Sequence, residues 1–208
     1  LAAQGRDWSL LRNRLCGFTS VCGGFGFANG VEWLAAEQIN VHSSRGMSWG
    51  DDRNIISELK ALNELINDHP CFFDGAKLER ISPPDAPIYA LHRTSAEGAD
   101  SVLVLANCDM ESEARISLPL ADFAVETTTD LLNQPPPNSV ALADGKIAFT
   151  LAPGACFCLS QSIEPKGLSG DDYRRLRAQS AFAIRTINHR VTLDKFGEYD
   201  WQELASVF

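Results

Sequence analysis

The sequence predicts a mainly β protein with helices, in which an antiparallel β-sandwich follows one helical region and precedes another. Three observations lead to this fold class. Short strand-like runs alternate with turn clusters between residues 76 and 160, an apolar stripe at helical spacing comes before them, and a second such stripe follows a linker containing Pro and Gly. The expected divisions are residues 1–70, 71–161 and 162–208.

The composition is that of a globular protein with a sizeable core. The chain has 208 residues, of which 45% are hydrophobic and 22% are charged. Its net charge of −9 disfavours nucleic acid and anionic membrane surfaces as partners, although neutral sugars remain compatible with it. The sequence has neither an apolar run of roughly 20 residues, as a membrane span requires, nor a signal-peptide pattern. We therefore expect a cytoplasmic protein, and the first residue, Leu1, suggests an internal fragment.

Two helices are predicted ahead of the strands. Residues 8–21 have apolar side chains at helical spacing, and residues 54–69 carry a longer stripe that Pro70 ends. Asp51 or Asp52 is expected to cap the second helix. Between the helices, residues 23–28 form a short, glycine-rich apolar run that we expect to be one strand.

The sandwich is predicted from eight short strand-like runs. Asp144-Gly145 is a strong hairpin signal between the sixth and seventh of them. After a linker at 162–170, residues 171–189 have the periodicity of a helix, and residues 200–204 suggest a further short one. The eight runs are 76–81, 88–93, 101–107, 113–118, 124–131, 140–143, 146–151 and 156–160.

No metal or cofactor is expected. The six cysteines include no C-x-x-C pair, and the four histidines lack a carboxylate partner at metal-ligand spacing. The sequence also contains no phosphate-binding glycine-rich loop and no nucleophile-elbow motif. The cysteines are expected to be buried free thiols, with Cys156 and Cys158 on one side of a strand because they alternate within an apolar run.

Two segments resemble the alpha-amylase family, glycoside hydrolase family 13. Residues 22–32, CGGFGFANGVE, are similar to the eighth barrel strand and turn of that family, P-G-x-P-x-x-Y-x-G-x-E, without its prolines and tyrosine. Residues 40–51, NVHSSRGMSWGD, resemble its R-x-P-M-x-W segment, with Gly46-Met47 in place of the proline-containing step. The positions that match are Gly23, Gly30, Glu32, Arg45, Met47 and Trp49.

The resemblance extends over residues 10–161 and implies a specific architecture. Residues 1–70 would be the last helix, strand and helix of a (β/α)8 barrel, and residues 71–161 would be the C-terminal β domain of the family. The strands at 88–93 and 102–107 are similar to the corresponding strands of that domain. The family's catalytic carboxylates lie on earlier barrel strands. The resemblance therefore implies a C-terminal fragment of an α-glucan hydrolase or transferase, without a catalytic residue of its own and dependent on an upstream barrel.

The same resemblance places substrate-binding candidates in the loop after the last barrel strand. Trp33 and Trp49 offer flat faces on which sugars stack, or they pack against the last helix. Glu32 would orient the loop rather than act as a catalytic acid. The candidates are Glu32, Trp33, Asn40, His42, Arg45 and Trp49.

The other three candidates are polar. His42, beside Asn40, would hydrogen-bond a glucose hydroxyl or lie on the surface. Arg45 would contact sugar, or it would anchor the loop through its planar guanidinium.

Two other interpretations remain open. The sandwich would be a carbohydrate-binding or domain-docking module if two or three coplanar aromatic side chains were exposed on one sheet face, or it would be an unrelated structural β domain. The aromatic candidates are Phe72, Phe73, Tyr89, Phe123, Phe149 and Phe157. A truncated barrel would also leave the strand at 23–28 and the stripe at 55–66 uncovered, unless they pack on the sandwich, pair with a second copy of the chain or are covered by the helix at 171–189. We expect a homodimer or a repacked N-terminal segment.

Overall fold

The computed structural model describes residues 4–37, 42, 49–119, 128–195 and 197–207. Residues 1–167 and 168–208 form two compact units. Within the described ranges, the first unit has two α-helices, α1 (Arg6–Thr19) and α2 (Ile56–Asp68). Its described strands are β1 (Lys77–Arg80), β2 (Ile88–Thr94), β3 (Ser101–Asn107), β4 (Ala114–Leu118), β5 (Thr129–Asp130), β6 (Asn138–Ala141), β7 (Ile147–Leu151) and β8 (Cys156–Ser160).

The strands form two antiparallel sheets. The larger has the order β1-β2-β3-β8-β5 and the smaller the order β4-β7-β6. The predicted hairpin joins β6 to β7, because the Leu142 N–H donates to the Lys146 carbonyl at 2.8 Å and Gly145 adopts a positive φ of 77°. The strand predictions are thus confirmed to within two residues at each end, except for 124–131, of which only residues 128–131 are described.

The sheets pack face to face around an apolar core. Leu103 and Leu105 of β3 point to this core, where they meet Ile116 of β4 and Phe149 of β7. All four side chains are at most 8% exposed. Burial of each such side chain contributes about 1.5–3 kcal/mol, so the contact between the sheets is a main source of stability.

The opposite face of the larger sheet is covered by α1 and α2. Val102, Val104 and Ala106, which alternate with the leucines along β3, share a second core with Phe18 of α1 and Leu62 of α2. Strand β3 is therefore buried on both faces except at Ser101, which explains its continuous apolar run. The first unit therefore has three layers. Its N-terminal segment packs on the sandwich, and this packing covers the apolar stripe on α2, which is one of the two expected arrangements. The homodimer stays a prediction, and so does a domain boundary at residue 70.

The strand expected at 23–28 is not formed, so this prediction was wrong. Among the described residues, no strand pairs with this segment, and no backbone N–H of residues 21–28 donates a hydrogen bond. A strand requires a neighbour to which its backbone groups can bind. The open edges of the larger sheet are β1 and β5, and residues 23–28 pair with neither of them. The described parts of the structure contain no (β/α)8 barrel.

The cap expected for α2 was also assigned to the wrong residue. Asp51 accepts from the Arg53 N–H at 2.8 Å and closes a turn before the helix. Asn54 instead accepts from the Ile56 N–H at 3.2 Å, which satisfies one of the free N–H groups at the start of α2. The two helices are joined by an ion pair between Arg6 and Glu58.

The second unit is a pair of helices, α3 (Gly170–Asn188) and α4 (Trp201–Ser206), as the periodicity predicted. Asp200 caps α4 by accepting from the N–H groups of the next turn, at 2.8 and 3.2 Å. The Trp201 ring meets Tyr173 edge to face at 5.7 Å, and the Arg177 guanidinium lies 4.7 Å from its centre. None of the helices in the described ranges is long and apolar enough to cross a membrane.

Candidate functional site

An open groove of about 580 Å³ lies in the first unit, between the last turns of α2 and the segment that follows β5. One wall consists of Glu64, Leu65 and Asp68 of α2, together with His69 at its end. The opposite wall is formed by residues 128–131 and 133–136, with two further apolar side chains from residues 163 and 165.

The floor of the groove is a hydrogen-bonded network around Asp130. This carboxylate is 5% exposed and accepts from the Cys158 N–H at 2.8 Å through one oxygen. The other oxygen accepts from the Leu132 N–H at 3.1 Å and from the side-chain amide of Gln134 at 3.0 Å. Burial raises the pKa of Asp130, and the hydrogen bonds from Gln134 and the backbone oppose that rise.

Arg14 of α1 completes this network. Its guanidinium donates to the Gln134 side-chain oxygen at 2.8 Å and is 8% exposed. Burial lowers the pKa of Arg14, while its charge favours the ionised form of Asp130. The network joins α1 to β5 and β8, so its role is to fix the geometry of the floor.

His69 is the buried polar side chain of the α2 wall. It is 4% exposed, and its ring packs edge-on against Phe72 at 6.2 Å. Nδ1 accepts from the Cys71 N–H at 3.3 Å, which leaves Nε2 as the N–H donor. Among the described residues, Nε2 has no hydrogen-bond partner. Burial lowers the pKa of His69, so the ring is neutral at pH 7.

Arg93 is a residue whose importance the sequence analysis missed. It is fully buried, and it donates to the Phe18 and Ser20 carbonyls at 2.7 and 2.8 Å and to the Cys71 carbonyl at 2.8 Å. Its guanidinium also lies 4.4 Å from the centre of the Phe72 ring. Arg93 therefore fixes the end of α1 and the end of α2 to strand β2. The available signal was that Arg93 lies two residues after Leu91 in a predicted strand, and therefore on the same face as that apolar side chain.

The predicted substrate loop is described only in part. Asn40 and Arg45 lie outside the described residues, and His42 is exposed. Trp33 is half-buried in a 3-10 turn, whereas Trp49 is 54% exposed. Sugar contacts by these residues stay a prediction.

Glu32 has a structural contact in the turn that also contains Trp33. Its side chain accepts from the Gly30 N–H at 2.9 Å, and its carbonyl accepts from the Ile55 N–H at 2.9 Å. The first hydrogen bond closes the turn, and the second fixes the turn to the start of α2.

The sheet faces carry no exposed row of aromatic side chains among the described residues. Phe72 and Phe149 are buried, Phe73, Tyr89 and Phe157 are half-buried, and Phe123 lies outside the described ranges. Among the described residues, none of the exposed aromatic side chains belongs to a strand, and they are Phe27, Trp49, Phe182 and Tyr199.

The cysteines divide into two sets. Cys71, Cys156 and Cys158 are buried, and Cys156 and Cys158 face the same core, as predicted. Burial raises the pKa of Cys71 and of Cys156 to about 12, so neither is a reactive thiolate at pH 7. The expectation of buried thiols was wrong for the other three, because they lie on α1 or in loops at the surface: Cys16, Cys22 and Cys108.

The described residues include no group of three His, Cys, Asp or Glu side chains arranged to hold a metal ion. Comparison with models of known protein families, with curated proteins and with solved structures found no match to this chain. The interpretation of function therefore rests on the geometry above and on the resemblance of residues 10–161.

Proposed function

We propose that the chain is the C-terminal part of an amylase-family enzyme that acts on α-glucans in the cytoplasm, where it supports a catalytic barrel and supplies no catalytic carboxylate. The observation that carries the proposal is the order of its elements: a helix, a glycine-rich loop, a helix and then an antiparallel sandwich. The resemblance implies a helix, a strand, a helix and a β domain, so the two helices and the sandwich support the proposal, whereas residues 23–28 do not form the implied strand.

The loop between α1 and α2 is the surface that the barrel would cover. Val21 and Phe27 are 72% and 39% exposed, and Trp49, at the other end of the loop, is 54% exposed. Exposed apolar side chains of this kind favour a contact with another domain. In the proposal, the missing barrel strands supply the hydrogen-bonding partners of residues 23–28.

The proposal leaves the parent reaction open between hydrolysis and glucan transfer. Both reactions proceed through one glycosyl-enzyme intermediate, which is attacked either by water or by another sugar. The choice depends on the barrel residues around that intermediate.

A carbohydrate-binding module is the second candidate, and the aromatic side chains argue against it. Such a module presents a flat aromatic platform to the sugar, whereas no strand in the described part of the chain carries an exposed aromatic residue. Both faces of β3 and β8, which form the centre of the larger sheet, are covered.

Titration calorimetry with maltoheptaose, and then with glycogen, tests the proposal. We expect no saturable heat and no release of reducing sugar above a buffer blank, because the catalytic carboxylates lie on the upstream barrel strands and the loop candidates of this chain form a sugar site only together with those strands. Extending the chain upstream of Leu1 to include that barrel is expected to give both binding and turnover.

Saturable glucan binding by the present chain would contradict the scaffold role. The variants Trp49→Ala and Phe182→Ala would then locate the site, because these two exposed aromatic residues lie in different units. Turnover by the present chain would contradict the absence of catalytic carboxylates. An extended chain that neither binds nor cleaves α-glucans would contradict the assignment to the family.

A further inference from the structure

The sequence contains one Asn-Gly step, Asn29-Gly30, in the loop between α1 and α2. In flexible chains, this is the step at which asparagine loses ammonia most readily, because glycine has no side chain to hinder attack by its own backbone nitrogen. Asn29 is exposed, whereas Gly30 is buried. Water can therefore reach the side-chain amide of Asn29, and the local structure around Gly30 decides whether that amide reacts.

The reaction is deamidation through a succinimide. The backbone nitrogen of the glycine loses its proton and attacks Cγ of the asparagine, so that a new N–Cγ bond closes the ring. The Cγ–Nδ2 bond then breaks, and ammonia leaves with the proton. Water opens the ring and gives either aspartate or isoaspartate. The reaction thus requires a glycine nitrogen that can release its proton and a backbone conformation that brings this nitrogen to Cγ.

The Glu32 side chain opposes the first requirement. Its carboxylate accepts from the Gly30 N–H at 2.9 Å, so the proton that must leave is hydrogen-bonded to an anion. A negative charge at this distance disfavours a second negative charge on the glycine nitrogen. Glu32 is half-buried, and its own carbonyl accepts from the Ile55 N–H at 2.9 Å. The carboxylate is therefore held beside the N–H that it protects.

The conformation of the turn opposes the second requirement. The Val31 N–H donates to the Ala28 carbonyl at 3.2 Å, which closes a turn with Asn29 and Gly30 at its centre. Gly30 has a φ of 96° and a ψ of −12°, and the φ of Asn29 is not positive. These values indicate a type II turn, in which the first central residue has a ψ of about +120°. That ψ rotates the glycine nitrogen away from Cβ of the asparagine, whereas ring closure requires the two atoms to be eclipsed.

We infer that Asn29 is a deamidation site that the folded loop keeps unreactive, and that Glu32 is the side chain that protects it. Loss of the Glu32 hydrogen bond exposes the Gly30 N–H and lets residue 29 become aspartate or isoaspartate. Either product adds a negative charge to the loop, and isoaspartate also lengthens its backbone by one carbon. The inference is independent of the proposed action on α-glucans, because it involves no sugar and no missing barrel.

The first experiment compares the native parent chain with the same chain unfolded in guanidinium chloride, in one buffer at mildly alkaline pH. Peptide fragmentation by mass spectrometry measures the deamidated fraction at residue 29 over time. We expect deamidation to be about tenfold slower in the native chain, because unfolding removes both the turn and the hydrogen bond to a charged group. Equal rates in the two states would overturn the inference.

Variants then test the role of the carboxylate in the native chain. Glu32→Ala removes the acceptor, and we expect deamidation at residue 29 to become about tenfold faster. Glu32→Gln keeps an uncharged oxygen that can accept from the Gly30 N–H, and we expect a smaller increase of about threefold. Glu79→Ala on β1, where the carboxylate is also exposed but lies outside this loop, is the matched control and should leave the rate unchanged.

The same proteins in guanidinium chloride should all deamidate at nearly the same rate, because none of them retains the turn. An increase in Glu32→Ala that persists after unfolding would contradict the inference, since it would come from the sequence alone. A slower reaction in native Glu32→Ala would also contradict it, because the carboxylate would then be the base that takes the Gly30 proton. If Glu32→Ala does not fold, the parent chain and Glu32→Gln decide the inference by themselves.

Discussion

Two short apolar runs of the first unit, residues 23–28 and strand β3, have opposite structures. Strand β3 is hydrogen-bonded to β2 on one edge and to β8 on the other, and both of its faces are buried. Residues 23–28 have no paired strand among the described residues, and Phe27 is 39% exposed. The difference shows that an apolar run becomes a strand only where a neighbour satisfies its backbone groups.

The glycine-rich run at 23–28 is not unrestrained along its whole length, because its first residue is anchored. Gly23 has a φ of 69°, and a Cβ on it would lie 2.5 Å from the Phe72 carbonyl oxygen. The carbonyl of Ser20, just before the run, accepts from Arg93. Beyond Gly23, Phe25 is half-buried against the same core, whereas Gly24, Gly26 and Phe27 are exposed.

The largest expected effect comes from truncating a leucine of β3. Leu105 is fully buried between the sheets. We expect Leu105→Ala to lower the free energy of unfolding by about 3–5 kcal/mol, because it leaves a cavity. Phe27→Ala removes a larger side chain from the exposed run, and we expect a change within about 0.5 kcal/mol. Urea denaturation of both variants measures this contrast, and similar losses would show that Phe27 packs in a core.

Replacing Arg93 is expected to loosen the attachment of both helices. Arg93→Met leaves the Phe18, Ser20 and Cys71 carbonyls without their donor, and we expect a loss of about 2–4 kcal/mol. Arg80 also donates to backbone carbonyls but is exposed, so Arg80→Met is the matched control with an expected loss below about 1 kcal/mol. Equal losses in denaturant would contradict the anchoring role of Arg93.

Two glycines of the run at 23–28 are expected to differ in how well they tolerate a side chain: Gly23, which is anchored, and Gly26, which has space around it. Gly23→Ala is expected to cost about 1–3 kcal/mol, because its backbone conformation and the Phe72 carbonyl both oppose a Cβ. At Gly26, a Cβ meets nothing within 4 Å and φ is not positive, so Gly26→Ala should be neutral or slightly stabilising. Thermal melting separates the two, and a destabilising Gly26→Ala would indicate a partner that closely approaches this segment.

The smallest expected effect is a pH dependence from His69. Its folded-state pKa lies below the unfolded value, so the unfolded chain binds the proton more readily. Stability that is present above about pH 6.5, the ordinary histidine value, should therefore be lost as the pH falls through that value and then through the folded pKa. The free energy of unfolding, measured by denaturation between pH 5 and 8, should decrease as the pH falls in the parent chain and should decrease less steeply in His69→Asn. Identical pH dependences in the two proteins would show that His69 is not the source of the effect.

The regular elements followed from local signals in the sequence. The Asp144-Gly145 hairpin was predicted correctly because the turn residues and the flanking strands are adjacent in the chain. The helix stripe on α2 was likewise visible, since its spacing alone places Leu59, Leu62 and Ile66 on one buried face.

The remaining features depend on contacts between distant residues. Arg93 binds carbonyls 22 to 75 positions earlier in the chain, and the groove joins α2 to residues that follow β5. No local pattern marks such pairs. The strand at 23–28 was expected from an apolar run and from the resemblance, and neither of them specifies a paired neighbour.

Hydrogen exchange monitored by mass spectrometry tests the central contrast most directly. We predict slow exchange for the amides of β3, whose two edges are both paired, and rapid exchange for residues 21–28, whose N–H groups donate no hydrogen bond to a described residue. Comparable protection of the two segments would contradict the account, because it would mean that residues 21–28 have found a strand partner, such as a second copy of the chain.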